Sequence, residues 1–216
     1  LSDAAFRRAS KQALDTDGVL ALTEFLQPSA LTALVTEAER NEDQAFFAKS
    51  THNVYLTPPN EALPSNHIFN RQMVSTKGCI CDDQVETNSP LRQLYDAAAF
   101  QRFLCAVLGE AALHPYADPL SSINIHYAPA GKELGWHFDN ASFAITLMID
   151  SPDKGGVFQY ITKGRDYDNN FIDKNFITKA VELDSGNEKA YISLAMYYRD
   201  APLIAGGNLK KSESIL

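Results

Sequence analysis

The sequence is short of cysteine, of positive charge and of long apolar runs. Three cysteines occur in 216 residues: Cys79, Cys81 and Cys105. An odd number without framework spacing excludes a disulfide scaffold. The Cys79-Ile80-Cys81 pair has only Cys105 left as a further soft ligand, so these thiols read as small buried or loop residues in a reducing compartment. Lys and Arg total 19 against 27 Asp and Glu, a formal net charge of −8. Nucleic-acid binding needs clustered basic residues to replace phosphate counterions, and the scattered ones here exclude it. No run approaches ~18 apolar residues, so no membrane-spanning helix is expected. The opening "LSDAAFRRASKQ" has no apolar signal core and no methionine, which predicts a fragment or a processed product in a cytoplasmic setting.

What is present is globular: 45% hydrophobic and 21% charged residues. "DGVLALTEFL" (17–26) reads as a short strand and its exit. "QPSALTALVTEAER" (27–40) predicts a helix with Pro28 in its first turn and a stripe of Leu31, Leu34, Val35 and Ala38. The prolines of 56–70 predict a loop. A second helix is expected from Ser89 as cap and Pro90 as first residue, its pattern continuing through Phe103, Leu104, Val107 and Leu108 to Gly109. Beyond Pro119 the texture becomes strand-like, over 121–129, 142–150 and 157–162, with "WHFDN" as a strand or its end. Helices first and closely spaced strands after predict an α+β fold.

The stretch "GWHFDN" (135–140) holds the most chemistry. On a strand, residues i and i+2 share a face, so His137 and Asp139 project together while Trp136 and Phe138 point the other way. An imidazole and a carboxylate on one face are two-thirds of the 2-His-1-carboxylate set that holds non-haem Fe(II) and leaves positions open for substrate and oxygen.

The surrounding "INIHYAPAGKELGWHFDNASFAITLMIDSPDKGGVFQY" (123–160) resembles the core of Fe(II)/2-oxoglutarate-dependent oxygenases. It is most similar to the small-molecule branch that contains free-amino-acid hydroxylases and the related halogenases. The resemblance spans roughly 15–168. It implies N-terminal helices on a double-stranded β-helix (jelly-roll, cupin-like) core, and a dioxygenase that couples oxidative decarboxylation of 2-oxoglutarate to oxidation of a small molecule such as a free amino acid. Carried over, it makes His137 and Asp139 iron ligands, places Asn124 and Tyr127 where 2-oxoglutarate binds, and lets Trp136 and Asn140 shape the substrate pocket. A strand-end amide and a core tyrosine are the other reading of Asn124 and Tyr127. Halogenases of this branch replace the carboxylate with a small residue so that chloride can reach iron. Asp139 keeps it, which implies hydroxylation.

The sequence also departs from that pattern. The family carries a second histidine on a later strand, followed by an arginine that clamps 2-oxoglutarate. Here the histidines are His52, His67, His114, His126 and His137, and none follows 137. In their place "KAVELDSGNEKAYISLAMYY" resembles a tetratricopeptide repeat, with Ala190, Tyr191, Leu194, Ala195 and Tyr198 as the stripe of its second helix. The organisation expected is an oxygenase-like domain over 1–168, its barrel truncated, and a short helical hairpin over 169–216 available to a protein partner or to self-association. Two other readings remain open: a non-catalytic interaction module with a degenerate oxygenase domain, and a cupin-like metal protein using His126, His137 and Asp139.

Overall fold

The computed structural model describes residues 1–139, 141, 143–152, 156, 158–160, 165–166, 171–172 and 194–198. Helix α1 (Ala4–Asp17) starts where the Asp3 carboxylate accepts the Phe6 N–H, and it stops at Gly18, whose φ of 71° is open to glycine at no steric cost. Strand β1 (Val19–Leu22) follows, then α2 (Pro28–Asn41) with proline in its first turn. Two long strands, β2 (Phe46–His52) and β3 (Met73–Ile80), bracket the proline-rich loop. The next helical region is broken rather than continuous. Ser89 caps α3 (Pro90–Asp96), extended Ala97 interrupts, and α4 (Ala98–Leu108) ends at Gly109. Short strands complete the order: β4 (Ile125–Tyr127), β5 (Phe143–Thr146), β6 (Arg165–Asp166), β7 (Phe171–Ile172) and β8 (Leu194–Tyr198).

The result is a mixed helix-and-strand fold with antiparallel sheets. β2, β3 and β4 form one sheet in that order; β8 lies between β1 and β5 in another; β6 pairs with β7. One apolar core joins α1, β1 and α4 through Leu14, Leu20, Phe100, Phe103, Leu104, Val107 and Leu108. A second joins α2 to one face of β3 and β4 through Ala38, Ile80, Val85, Ile123 and Ile125. The expected stripe of α2 is rotated. Leu34 and Ala38 are buried with Glu37, whereas Leu31 is 37% exposed. No helix among the described residues is long and apolar enough to cross a membrane.

One expectation is overturned. Leu194–Tyr198, read from the sequence as part of a helix, is a strand that exchanges backbone hydrogen bonds with both β1 and β5. Its helical spacing gives way because two strand edges offer a full set of backbone partners, and tertiary pairing outweighs a weak local preference. Phe171–Ile172, at the start of the expected hairpin, is likewise a strand, and the rest of it lies outside the described residues. Of the strand expected over 157–162, residues 158–160 are described and are not a strand.

Phe103 is fully buried and stacks on Phe6 with ring centroids 5.6 Å apart. Phe103→Ala is expected to lower the unfolding free energy by about 3–5 kcal/mol in urea titrations. Phe46→Ser, at a position 75% exposed, is expected to change it by no more than about 0.5 kcal/mol.

Candidate metal centre

Residues 132–139 do not form a strand. They are nevertheless pinned against β3 and the residues that follow β2. The Thr76 N–H donates to the Glu133 carbonyl at 2.7 Å, and the Phe138 N–H donates to the Val54 carbonyl at 2.7 Å. Between these, the Gly135 N–H donates to Ser75 Oγ at 2.9 Å. Gly135 lies so close to β3 that a β-carbon there would come within 2.7 Å of the Val74 carbonyl oxygen. These irregular bonds replace the ladder a strand would need, so the expected strand is absent while its consequence survives. His137 and Asp139 still meet, with Nε2 and Oδ1 3.5 Å apart.

The orientation of His137 is set from behind. Its Nδ1–H donates to the Gly135 carbonyl at 2.7 Å, which leaves Nε2 facing Asp139. Metal-binding histidines are commonly held this way, their second nitrogen tied to a carbonyl or carboxylate. The hydrogen bond to Asp139 raises the His137 pKa; burial and the nearby Lys77 ammonium oppose that rise.

A second histidine, missed in the sequence, stands beside the first. The His52 ring packs edge-on against His137, centroids 5.9 Å apart and planes 86° apart. Its Nδ1–H donates to the Asn53 carbonyl at 3.0 Å and its Nε2 accepts from Ser75 Oγ at 2.7 Å. A continuous chain therefore runs from Asn53 through His52 and Ser75 to the Gly135 peptide and on to His137. Both His52 nitrogens are engaged, so it is a support for His137 and not a third donor in this arrangement. Among the described residues no group of three or more His, Cys, Asp and Glu is placed to hold a metal.

The other expected site residues fall in different places. Tyr127 sits on the opposite face of the sheet, where its hydroxyl donates to the Ala38 carbonyl of α2 at 2.7 Å. The Asn124 amide donates to the Ser121 carbonyl and its oxygen accepts from the Cys79 thiol, at 3.1 and 3.3 Å. Trp136 is half-buried beside His137. Asn140 lies outside the described residues. His126, the spare donor weighed from the sequence, accepts a hydrogen bond at Nε2 from Lys77 Nζ at 3.3 Å, which occupies the nitrogen a metal would need. Burial and the Lys77 charge push its pKa down to about 4. Two surface grooves, of about 680 Å³ along Phe6, Leu22 and Phe25 and about 410 Å³ between α2 and Met148, contain none of these residues.

A family model described as Halogenase D matches residues 2–192 of the chain. The match takes in His137 and Asp139, and it runs beyond residue 168 into the repeat-like segment. No curated protein matches the sequence.

Ser75→Ala leaves the Gly135 N–H without its acceptor and is expected to cost about 1–3 kcal/mol of stability in chemical denaturation. Gly135→Ala is expected to be at least as damaging, because the obstructing atom is backbone. For His126 the sign follows from its lowered pKa. Between pH 6.5 and about 4 the unfolded chain takes up the proton and the folded chain does not, so stability falls as pH drops through that window. Part of the ring meets solvent, and screening there damps the effect. His126→Gln is expected to flatten that part of the stability–pH curve.

Proposed function

The chain belongs to the Halogenase D family, and from that membership we propose an Fe(II)- and 2-oxoglutarate-dependent oxygenase that hydroxylates, and does not halogenate, a small molecule such as a free amino acid. One observation carries the reading: an oriented imidazole and a carboxylate meet at 3.5 Å, His137 Nε2 to Asp139 Oδ1. Two neighbouring ligands of one metal at ~2.1 Å lie roughly 3 Å apart, so a small movement of the exposed Asp139 side chain suffices to share a cation.

His137 would hold the metal through Nε2, its ring fixed by the Gly135 carbonyl. Asp139 would supply a carboxylate oxygen and neutralise part of the metal's charge. Iron and 2-oxoglutarate, when bound, supply the oxidising chemistry. The carboxylate fills the place that related halogenases leave to chloride, which supports hydroxylation. Phe138 turns away and packs on Tyr55, ring centroids 5.8 Å apart, so the two ligands are presented without a bulky neighbour between them. The division into an oxygenase-like part over 1–168 and a tail over 169–216 belongs to the same proposal. The pairing of β8 with β1 and β5 favours a tail that completes the chain's own sheet over one reserved for a partner.

Titration with Co(II) is expected to show binding that His137→Ala and Asp139→Ala each weaken by roughly tenfold or more. With Fe(II), 2-oxoglutarate, ascorbate and a panel of amino acids, succinate is expected to form, and the oxidised product is expected to be hydroxylated even with chloride present. Absence of succinate across the panel would sink the proposal.

A further inference from the structure

The face of the β2–β3–β4 sheet that supports His137 carries a second cluster. Lys77 lies two residues beyond Ser75 on β3, and Cys79, two further on, pairs in register with His126 of β4. Ser75, Lys77, Cys79 and His126 therefore share one face, opposite Tyr127 and Ile125. Lys77 is half-buried. It pairs with no carboxylate among the described residues, although acidic residues outnumber basic ones 27 to 19. Its described hydrogen-bond partner is His126 Nε2 at 3.3 Å.

A partly desolvated ammonium against a neutral acceptor is an incomplete arrangement, because the charge lacks an opposite charge. Lysine has three N–H donors and His126 takes one. Because Nε2 of His126 accepts, its proton sits on Nδ1, so the ring offers a further donor. The depressed His126 pKa is consistent with a neutral ring. The neighbours are already committed: the Cys79 thiol donates to Asn124, whose amide donates to Ser121. The ammonium also lies near enough to His137 to oppose its protonation. What remains is a donor-rich, positively charged spot beside the His137–Asp139 pair, in a chain whose net charge is negative.

We infer that Lys77 and His126 form a binding site for the carboxylate of a small acid, placed next to the candidate metal ligands. The identity of the acid rests on the proposed function: it is either the 2-oxo acid consumed in the reaction or the carboxylate of an amino-acid substrate. The site itself rests on the sheet register and the Lys77–His126 hydrogen bond. It stands apart from a distal arginine clamp, since Lys77 comes from a strand that precedes His137 in the chain.

Calorimetric titration of the metal-free full chain with 2-oxoglutarate, and separately with L-alanine, tests it. Lys77→Met is expected to weaken binding of the preferred acid roughly tenfold or more, as loss of one charged hydrogen-bond donor does. Lys77→Arg retains the charge and is expected to keep most of the affinity, which separates charge from a folding defect. Co(II) affinity is expected to stay within about twofold in both variants. Tighter binding of 2-oxoglutarate assigns the site to the cosubstrate, and tighter binding of L-alanine assigns it to the substrate. Equal affinities of wild type and Lys77→Met, or binding of neither acid by wild type, overturn the site. Lys77-dependent binding in a chain that takes up no Co(II) supports the site and removes the oxygenase reading instead.

Discussion

The seat of Gly135 against β3 is the contact on which the candidate centre depends. With no side chain, residue 135 can press onto the Val74 carbonyl, bring its N–H within reach of Ser75 Oγ and turn its own carbonyl back to His137. Each of these needs the close approach. A peptide held a little further out loses the serine, and the histidine then loses the bond that selects its tautomer. The arrangement shows how a segment without secondary structure is placed as firmly as a strand: its polar backbone groups are satisfied one at a time by a neighbouring sheet.

The same sheet divides its work between its two faces. On one, Ile80, Ile125 and Tyr127 close the core against α2. On the other stand His52, Ser75, Lys77, Cys79 and His126. Period-2 alternation alone produces the division, since Tyr127 and His126 are adjacent in the chain and face opposite ways. Burying one face fixes the register of all three strands, because a slip of one residue would send Ile80 and Ile125 to the polar side. The packing of α2 thereby helps decide which residues His137 meets.

Much of this was legible in the sequence, and the failures have physical causes. The caps at Ser89 and Pro90, the stop at Gly109 and the helix from Pro28 are local signals, and they hold. The meeting of His137 and Asp139 was legible from spacing, although the strand expected to produce it is absent. His52, Ser75 and Lys77 could not be found by motif, because sheet pairing brings them to the site from far upstream. The alternating, β-branched texture of "MVSTKGCI" was the available sign of that strand. Tyr127 was ambiguous because a tyrosine beside a motif serves a core as readily as a pocket, and here its hydroxyl bonds to α2. Leu194–Tyr198 misled because its spacing suits a helix while its backbone is claimed by two distant strands.

That last strand ties the beginning of the chain to residues far along it. Val19 pairs with Tyr197, and Phe143 with Tyr198. During synthesis β1 therefore emerges long before its neighbour exists, and its edge waits until residues 194–197 are made. Closing so long a loop adds only slowly to the entropic cost, about 0.6 kcal/mol for each doubling of length, so the equilibrium is little affected. The burden falls on the time course. Pairings between distant parts of a chain form late, and an open strand edge in the interval is a template for the wrong partner. Helices α1 and α4 are both complete by residue 108, and the core they share with β1 is the shelter available to that strand until β8 arrives.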